Sequence, residues 1–188
     1  MAKRIIFGEI IGKGKRGIVR KGKYNGKGCA IKIVNPKSTA INRLENEANW
    51  LKKLNKKKIG PKFYYFDGSK LVMEYLDGVH LESYMEDKNI VLVLKKILKQ
   101  CRIMDKLKVN KFEMHNITKN CIVVGKKPVL IDFERCKVSL EPKNVTQFCQ
   151  FLLRKGFCKD KKMLLVALRK YKKNMSESNF TFLEKLFF

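Results

Sequence analysis

Acidic residues and arginine are both scarce in this lysine-rich chain. Only 17 of its 188 residues are aspartate or glutamate, against 43 basic ones, which leaves a formal net charge of +26. Arginine supplies eight of those 43 and lysine the other 35. Arginine's planar fork is the better reader of bases and phosphates, so the lysine bias weakens a nucleic-acid reading without removing it. A charge of this size attracts polyanions: ATP, RNA or an acidic partner. A lysine-rich surface of thermophilic or AT-biased coding origin would carry the same excess. No stretch approaches the roughly eighteen apolar residues of a membrane span, so no membrane partner is expected. The opening Met1-Ala2-Lys3-Arg4-Ile5-Ile6-Phe7-Gly8-Glu9 meets a glutamate too early for a signal peptide. Six cysteines occur without a C-x-x-C pair, and five of them sit in apolar runs. That pattern argues against a zinc site or disulfide frame and implies reduced, mostly buried thiols in a cytoplasmic protein. Internal repeats and low-complexity segments are also missing.

What is present begins with Gly12-Lys13-Gly14-Lys15-Arg16-Gly17-Ile18-Val19, followed by Cys29-Ala30-Ile31-Lys32. Glycines in a G-x-G-x-x-G-x-V spacing let backbone N–H groups approach a polyphosphate, where a Cβ would clash or forbid the φ required. The lysine on the next apolar run adds a point charge for the phosphates. A dinucleotide fold has a similar glycine spacing, but its loop opens a helix. Here residues 18–24 continue as a strand and turn at Asn25-Gly26, a hairpin signal.

At 188 residues and 45% hydrophobic composition, one domain or two small lobes can be built. Residues 4–34 read as three short strands separated by glycine turns. A helix is expected from Ser38 or Thr39, with Ile41, Leu44, Ala48, Leu51 and Leu54 forming one apolar stripe and Glu45 and Glu47 on the same helix. Two more strands, 63–66 and 71–75, flank Asp67-Gly68. After Asp77-Gly78 the chain becomes mostly helical, with its strongest pattern at 90–107, where Ile90, Val91, Leu94, Ile97, Leu98, Cys101, Met104 and Leu107 form a buried face. A loop at 109–120, two short strands (121–124 and 128–131) and helices near 144–156, 159–173 and 177–187 complete the reading.

Taken in order, these motifs resemble the eukaryotic-type protein kinase superfamily over roughly residues 5–134. The resemblance is closest to its compact atypical archaeal members, akin to RIO kinases and the kinase of the tRNA-modifying KEOPS complex. It implies an α+β, bilobal kinase-like domain. Residues 1–75 would form a five-stranded antiparallel N-lobe with one helix, and 76–188 a reduced, mostly helical C-lobe. ATP and Mg2+ are the implied cofactors and a protein hydroxyl the implied substrate. Gly12, Lys13, Gly14, Lys15, Arg16, Gly17, Ile18 and Val19 correspond to the glycine-rich loop, and Lys32 to the strand-three lysine. Glu47 corresponds to the helix carboxylate that pairs with this lysine, Glu45 being the alternative. Ala30 would belong to the ATP site, with Met73 as gatekeeper and the backbone of Glu74, Tyr75 and Leu76 facing adenine. Asn120 and Asp132 would hold magnesium, Asp132 lying in Ile131-Asp132-Phe133-Glu134. Phosphoryl transfer asks for positioning and charge neutralisation more than covalent work, which is why a lysine, carboxylates and hard-oxygen metal ligands recur in it. Lys32 as a snorkelling strand lysine and the glutamates as a solvated helix face are the plain structural readings.

Several positions depart from the family pattern. Counting back from Asn120, His115 stands where the catalytic aspartate is expected, and Glu113 is the alternative group to assist the substrate hydroxyl. A neutral imidazole accepts a proton near pH 7. Lys119 would neutralise γ-phosphate charge. The segment after the last strand reads Asp-Phe-Glu, without the usual glycine and its easy positive φ. Glu134 or Arg135 would add a charge near the metal or pair with surface lysines. Only 56 residues follow Asp132, with no A-P-E motif, so a minimal C-lobe without the peptide-docking part is expected. Asn144 corresponds to the helix aspartate that props up the catalytic loop, and asparagine there would cap the helix. Two further functions fit the same motifs: a nucleotide-binding pseudokinase or ATPase-like module docking on RNA or a ribonucleoprotein, and a small-molecule kinase.

Overall fold

Asn25 and Gly26 both take positive φ, 49° and 83°, the pair of left-handed residues that lets two strands fold back in a tight hairpin. They join β2 (Gly17–Tyr24) to β3 (Lys27–Val34), and β1 (Ile5–Lys13) pairs with the outer side of β2. The structure, a computed structural model, describes residues 4–39 and 42–188. Met1, Ala2 and Lys3 of the N-terminal reading and Ile41 of the expected apolar stripe lie outside these residues. The chain divides into two compact units. One runs to Asp77 and takes in Val129–Arg135, and the other comprises Gly78–Pro128 and Cys136–Phe188.

The first unit is a five-stranded antiparallel sheet, ordered β1-β2-β3-β5-β4, with β4 at Phe63–Phe66 and β5 at Lys70–Glu74. One helix, α1 (Arg43–Asn55), is inserted after β3. Cys29, Ile31 and Val72 form a buried cluster on one sheet face, covered by Ile5, Tyr24, Ile33, Tyr64 and Tyr65. Leu44, Ala48, Leu51 and Leu54 bury the stripe of α1, as its periodicity predicts. The helix starts later than expected. Asn35 Oδ1 accepts the Lys37 N–H at 3.1 Å, and the Ser38 N–H donates to the Asn35 carbonyl at 2.8 Å. Ser38 therefore belongs to a turn after Pro36, and Thr39 also precedes the helix; the first helical residue is Arg43, after Asn42 in the left-handed region. Gly60, also left-handed at φ 81°, sits where a Cβ would meet Leu51 Cδ1 at 2.7 Å and Phe133 Cε2 at 2.8 Å.

In the second unit, β6 (Val79–His80) leads into a single helical turn, α2 (Leu81–Tyr84), and then the long α3 (Ile90–Lys106). A short strand, β7 (Val109–Asn110), and a 3-10 turn over Met114–Lys119 occupy the expected loop. β8 (Cys121–Val124) follows, then β9 (Lys127–Leu130), whose last two residues enter the first unit. β10 (Lys137–Val138) pairs with β7. The unit closes with α4 (Asn144–Arg154), α5 (Lys161–Lys173) and α6 (Glu177–Lys185), the last capped by Ser176 Oγ. Val91 and Leu107, expected to be buried, are exposed at the two ends of α3, while Val93, Arg102 and Asp105 join its buried face. All six cysteines are buried thiols. Among the described residues, no helix is long and apolar enough to cross a membrane.

A buried carboxylate organises the second unit. Asp105 Oδ1 accepts the Asn144 backbone N–H at 3.1 Å and its Nδ2–H at 2.8 Å; Oδ2 accepts the Val145 N–H at 3.3 Å and the Tyr171 hydroxyl at 3.0 Å. The first N–H groups of α4 are thus satisfied by α3, at the helix end where negative charge is favoured. The Asn144 side chain does not cap the helix. It spans to the loop instead, accepting the Lys111 N–H at 2.8 Å and donating to the Val109 carbonyl at 2.6 Å.

Two predictions follow from this packing. Gly60→Ala combines a forbidden φ with a clash against buried side chains and should cost about 2–4 kcal/mol, read as a lowered denaturant midpoint. Burial raises the Asp105 carboxyl to about 6, above its unfolded value near 3.8, despite the hydrogen bonds that pull it down. The folded state then holds a proton that the unfolded state has released, so this group's contribution is full below about pH 4 and is lost as pH rises through 6. The loss is about 3 kcal/mol. The stability difference between wild type and Asp105→Asn, measured by urea unfolding at pH 4 and pH 7, should shift against the wild type by that order as pH rises.

Candidate active site

Strand register decides which side chains of the first unit share a face. Lys32 lies opposite Val19 on β2 and Leu71 on β5, and Ala30 lies opposite Lys21 and Met73. Residues directly opposite, or two apart along a strand, point to the same side. Val19, Ala30, Lys32 and Met73 therefore collect on one face of the sheet. Ile18 pairs with Ile33 and points to the other. Glu74 is paired with Cys29, its N–H donates to the Lys62 carbonyl at 2.8 Å, and its Oε2 accepts the Lys62 N–H at 3.0 Å. That N–H and that carboxylate oxygen are already engaged. Tyr75 and Leu76 follow the strand half-buried, and Lys21 Nζ lies 4.5 Å from the centre of the Tyr75 ring.

Lys32 Nζ meets three carboxylates. It lies 2.5 Å from Glu47 Oε2, 3.4 Å from Asp132 Oδ1 and 3.8 Å from Glu134 Oε2. Of the two glutamates on α1, Glu47 falls on the buried face and Glu45 on the exposed one. The other Glu47 oxygen accepts the Phe133 N–H at 3.3 Å. Burial alone would lower the Lys32 ammonium, but Glu47, Asp132 and Glu134 outweigh it and hold it above the ordinary lysine range. Burial lifts the Glu47 carboxyl against the pull of Lys32.

Asp132 lies just past the last strand of this segment, as the sequence reading expects. β9 ends at Leu130, and Asp132 takes a left-handed backbone at φ 62°, uncommon for a non-glycine residue. The positive φ of this segment thus falls on the aspartate. Ligand oxygens of Glu47, Asp132 and Glu134 all lie within 4.8 Å of one another. Asp132 is the most open of the three, with 39% of its side chain exposed against 3% and 8%. A hard carboxylate oxygen with solvent access suits magnesium, and Asp132 is the one of the three that has it.

The glycine loop joins β1 to β2. Gly14 N–H donates to the Gly17 carbonyl at 2.9 Å, and Asn35 Nδ2–H donates to the Gly14 carbonyl at 2.8 Å. Gly12, Gly14 and Gly17 all lie outside the left-handed region, so a special φ is not what requires glycine there. Space is the reason at Gly17, where a Cβ would come within 3.0 Å of Lys32 Cε and 3.3 Å of the Ile33 carbonyl. At Gly12 and Gly14 a Cβ would make only ordinary contacts. Lys13 and Lys15 are exposed. Arg16 turns inward and pairs through Nη1 with Glu134 Oε1 at 2.8 Å.

The second unit carries the remaining candidates. Phe112 and Glu113 are consecutive left-handed residues, at φ 64° and 57°, a strained pair of the kind that surrounding structure must enforce. The enforcement comes from α4. Asn144 holds Val109 and Lys111, Gln147 Oε1 accepts the Met114 N–H at 3.2 Å, and the Arg154 guanidinium donates to the His115 carbonyl. The His115 side chain is exposed and that of Glu113 half-buried. Lys119 is exposed at the end of the 3-10 turn, and Asn120 follows with its N–H on the Ile117 carbonyl at 2.8 Å.

Sequence reasoning missed the Arg16–Glu134 pair, the Asn35 tie to the loop and the role of Asp105. Only Glu134 carried a signal, a glutamate directly after the apolar Ile131-Asp132-Phe133 run. Asn46 adds a fourth connection, donating Nδ2–H to the Glu134 carbonyl at 2.8 Å.

The family model described as protein tyrosine and serine/threonine kinase matches residues 5–150, from β1 into α4. No curated protein matches the chain. The match covers most of the chain and includes the glycine loop, Lys32, Glu47, the 3-10 turn and Asp132, so the chain belongs to the protein tyrosine and serine/threonine kinase family.

Proposed function

We propose that the protein is an ATP- and magnesium-dependent kinase acting on serine or threonine hydroxyls, of the compact archaeal type akin to RIO and KEOPS-complex kinases. The observation that carries this reading is the contact of Lys32 with both Glu47 and Asp132. A lysine fixed in that way offers its charge at one point instead of sampling rotamers, which is what phosphate positioning demands. In this reading residues up to about 75 form the nucleotide-binding lobe and the rest a minimal second lobe. Val19, Ala30 and Met73 line the adenine side, with the backbone of Glu74, Tyr75 and Leu76 beside them. Lys13, Lys15 and Arg16 supply charge around the phosphate tail.

Asp132 and Asn120 would hold magnesium, which neutralises phosphate charge when bound. The chain's own part is to hold the triphosphate in line with an acceptor hydroxyl. The hydroxyl oxygen bonds to the γ-phosphorus as the bond to the β–γ bridging oxygen breaks, and ADP departs with that oxygen. His115, or Glu113, takes the hydroxyl proton. Strain at Phe112 and Glu113 favours a working role for this loop, since strained backbone concentrates at functional sites. Buried thiols in place of disulfides support a cytoplasmic setting.

A second reading rests on His115 at the expected aspartate position and on the net charge of +26. It makes the chain a nucleotide-binding module that docks on RNA. Radiolabel transfer from ATP separates the two. Lys32→Ala and Asp132→Ala should each lower transfer on the order of 10²-fold or more, and undiminished transfer in both removes the kinase assignment. Replacement of His115 by alanine should lower the transfer rate with little change in ATP affinity, and Glu113→Gln serves as its companion. Equal transfer in both single variants and in their combination would show that neither group handles the proton.

A further inference from the structure

The tip of the glycine loop is fastened in two different ways. Asn35 holds its backbone, donating Nδ2–H to the Gly14 carbonyl and its own N–H to the Arg16 carbonyl at 3.0 Å. Those bonds tie the loop to the end of its own sheet. Arg16 makes the other kind of tie, a charged one, to the segment that follows Asp132. The partners differ in freedom. Glu134 has 8% of its side chain exposed, and its backbone carbonyl is gripped from α1 by Asn46 at 2.8 Å and by Arg43 Nη1 at 3.5 Å. Arg16 has 38% exposed and sits at a loop tip. The carboxylate is therefore anchored and the guanidinium is the part that can move.

Charge makes this contact consequential. Lys32 and Arg16 bring two positive charges to Glu47, Asp132 and Glu134, which bring three negative ones. A phosphate group entering while Arg16 stays on Glu134 would meet these three carboxylates with Arg16 already engaged. One that draws Arg16 away gains a bidentate partner and exchanges one carboxylate for several phosphate oxygens. We infer that Glu134 is a positioning residue for the phosphate loop. It holds Arg16 in a latch that closes the loop over Lys32, and a nucleoside triphosphate opens the latch by taking Arg16 from Glu134. The exchange grows more favourable with the number of phosphates, so the latch also discriminates triphosphate from mono- and diphosphate. This inference rests on the reading that the loop binds a nucleoside triphosphate.

Two measurements on the full chain test it. In nucleotide-free protein, tryptic cleavage after Lys15, followed by mass spectrometry of the released fragment, reads the latch alone. Glu134→Gln and Arg16→Ala should each accelerate it about tenfold, and Arg16→Ala, at an exposed tip, serves if Glu134→Gln fails to fold. Unchanged cleavage in the folded variants overturns the latch. Calorimetric titration with magnesium-ATP then reads the exchange through a double-mutant cycle. Glu134→Gln should tighten binding about tenfold when Arg16 is present and less than about threefold in the Arg16→Ala background. An equal gain in both backgrounds overturns the inference, because Glu134 would then act only as a repelling charge. Magnesium-ATP bound by the wild type with no change in Glu134→Gln overturns the exchange and leaves the proposed function standing. Failure of every variant to bind magnesium-ATP, with cleavage still accelerated, overturns the exchange because the nucleotide reading itself has failed.

Discussion

A single enclosed carboxylate, Glu47, holds the first unit's chemistry in place. One of its oxygens meets the Lys32 ammonium at 2.5 Å and the other accepts the Phe133 N–H at 3.3 Å. The same side chain therefore links β3, α1 and the segment that carries Asp132. A carboxylate this buried is costly unless every lone pair is engaged, and the cost is what makes the arrangement discriminating. Removing either partner would leave an uncompensated charge, so the helix, the strand and the returning segment are held to one mutual placement. Phe133, buried beside Gly60, supplies the apolar half of the same joint.

The second unit uses a different carboxylate in a comparable way. Asp105 accepts four hydrogen bonds, three of them from the first turn of α4, and α4 in turn grips the loop of residues 109–115 through Asn144, Gln147 and Arg154. The strained pair Phe112 and Glu113 is tolerable because both ends of that loop are tied down. Family membership fits this division of labour. One unit carries a positioned cation among carboxylates, and the other a tied-down loop bearing His115. Most of the positive charge lies outside both arrangements on exposed lysines, where long-range attraction of anions is its main physical effect.

Local sequence made much of the fold legible. Alternating apolar residues with Asn25-Gly26 announced the hairpin, and the 3.6-residue stripe of Leu44, Ala48, Leu51 and Leu54 announced α1. The start of α1 was misplaced, because hydrogen bonds from Asn35 captured the backbone of Lys37 and Ser38 before any helix could begin. Asn144 was recognised as a strut for the loop. Its capping role was not met, because an aspartate thirty-nine residues earlier occupies the helix N-terminus. Ile18 was grouped with the glycine loop by adjacency, yet strand alternation turns it to the opposite face.

By itself, the order of residues determined the elements, the spacing of the glycines before Lys32, and the family to which the chain belongs. These depend on neighbours a few positions apart, whose periodicity and backbone preferences act locally. Tertiary structure alone decided that Glu47 and not Glu45 reaches Lys32, that Glu134 engages Arg16, and that Asp132 adopts a left-handed backbone. Those outcomes hinge on charges separated by up to 118 positions. Their interaction exists only once burial strips away water and leaves each carboxylate to be satisfied by whichever donor the packing brings within reach.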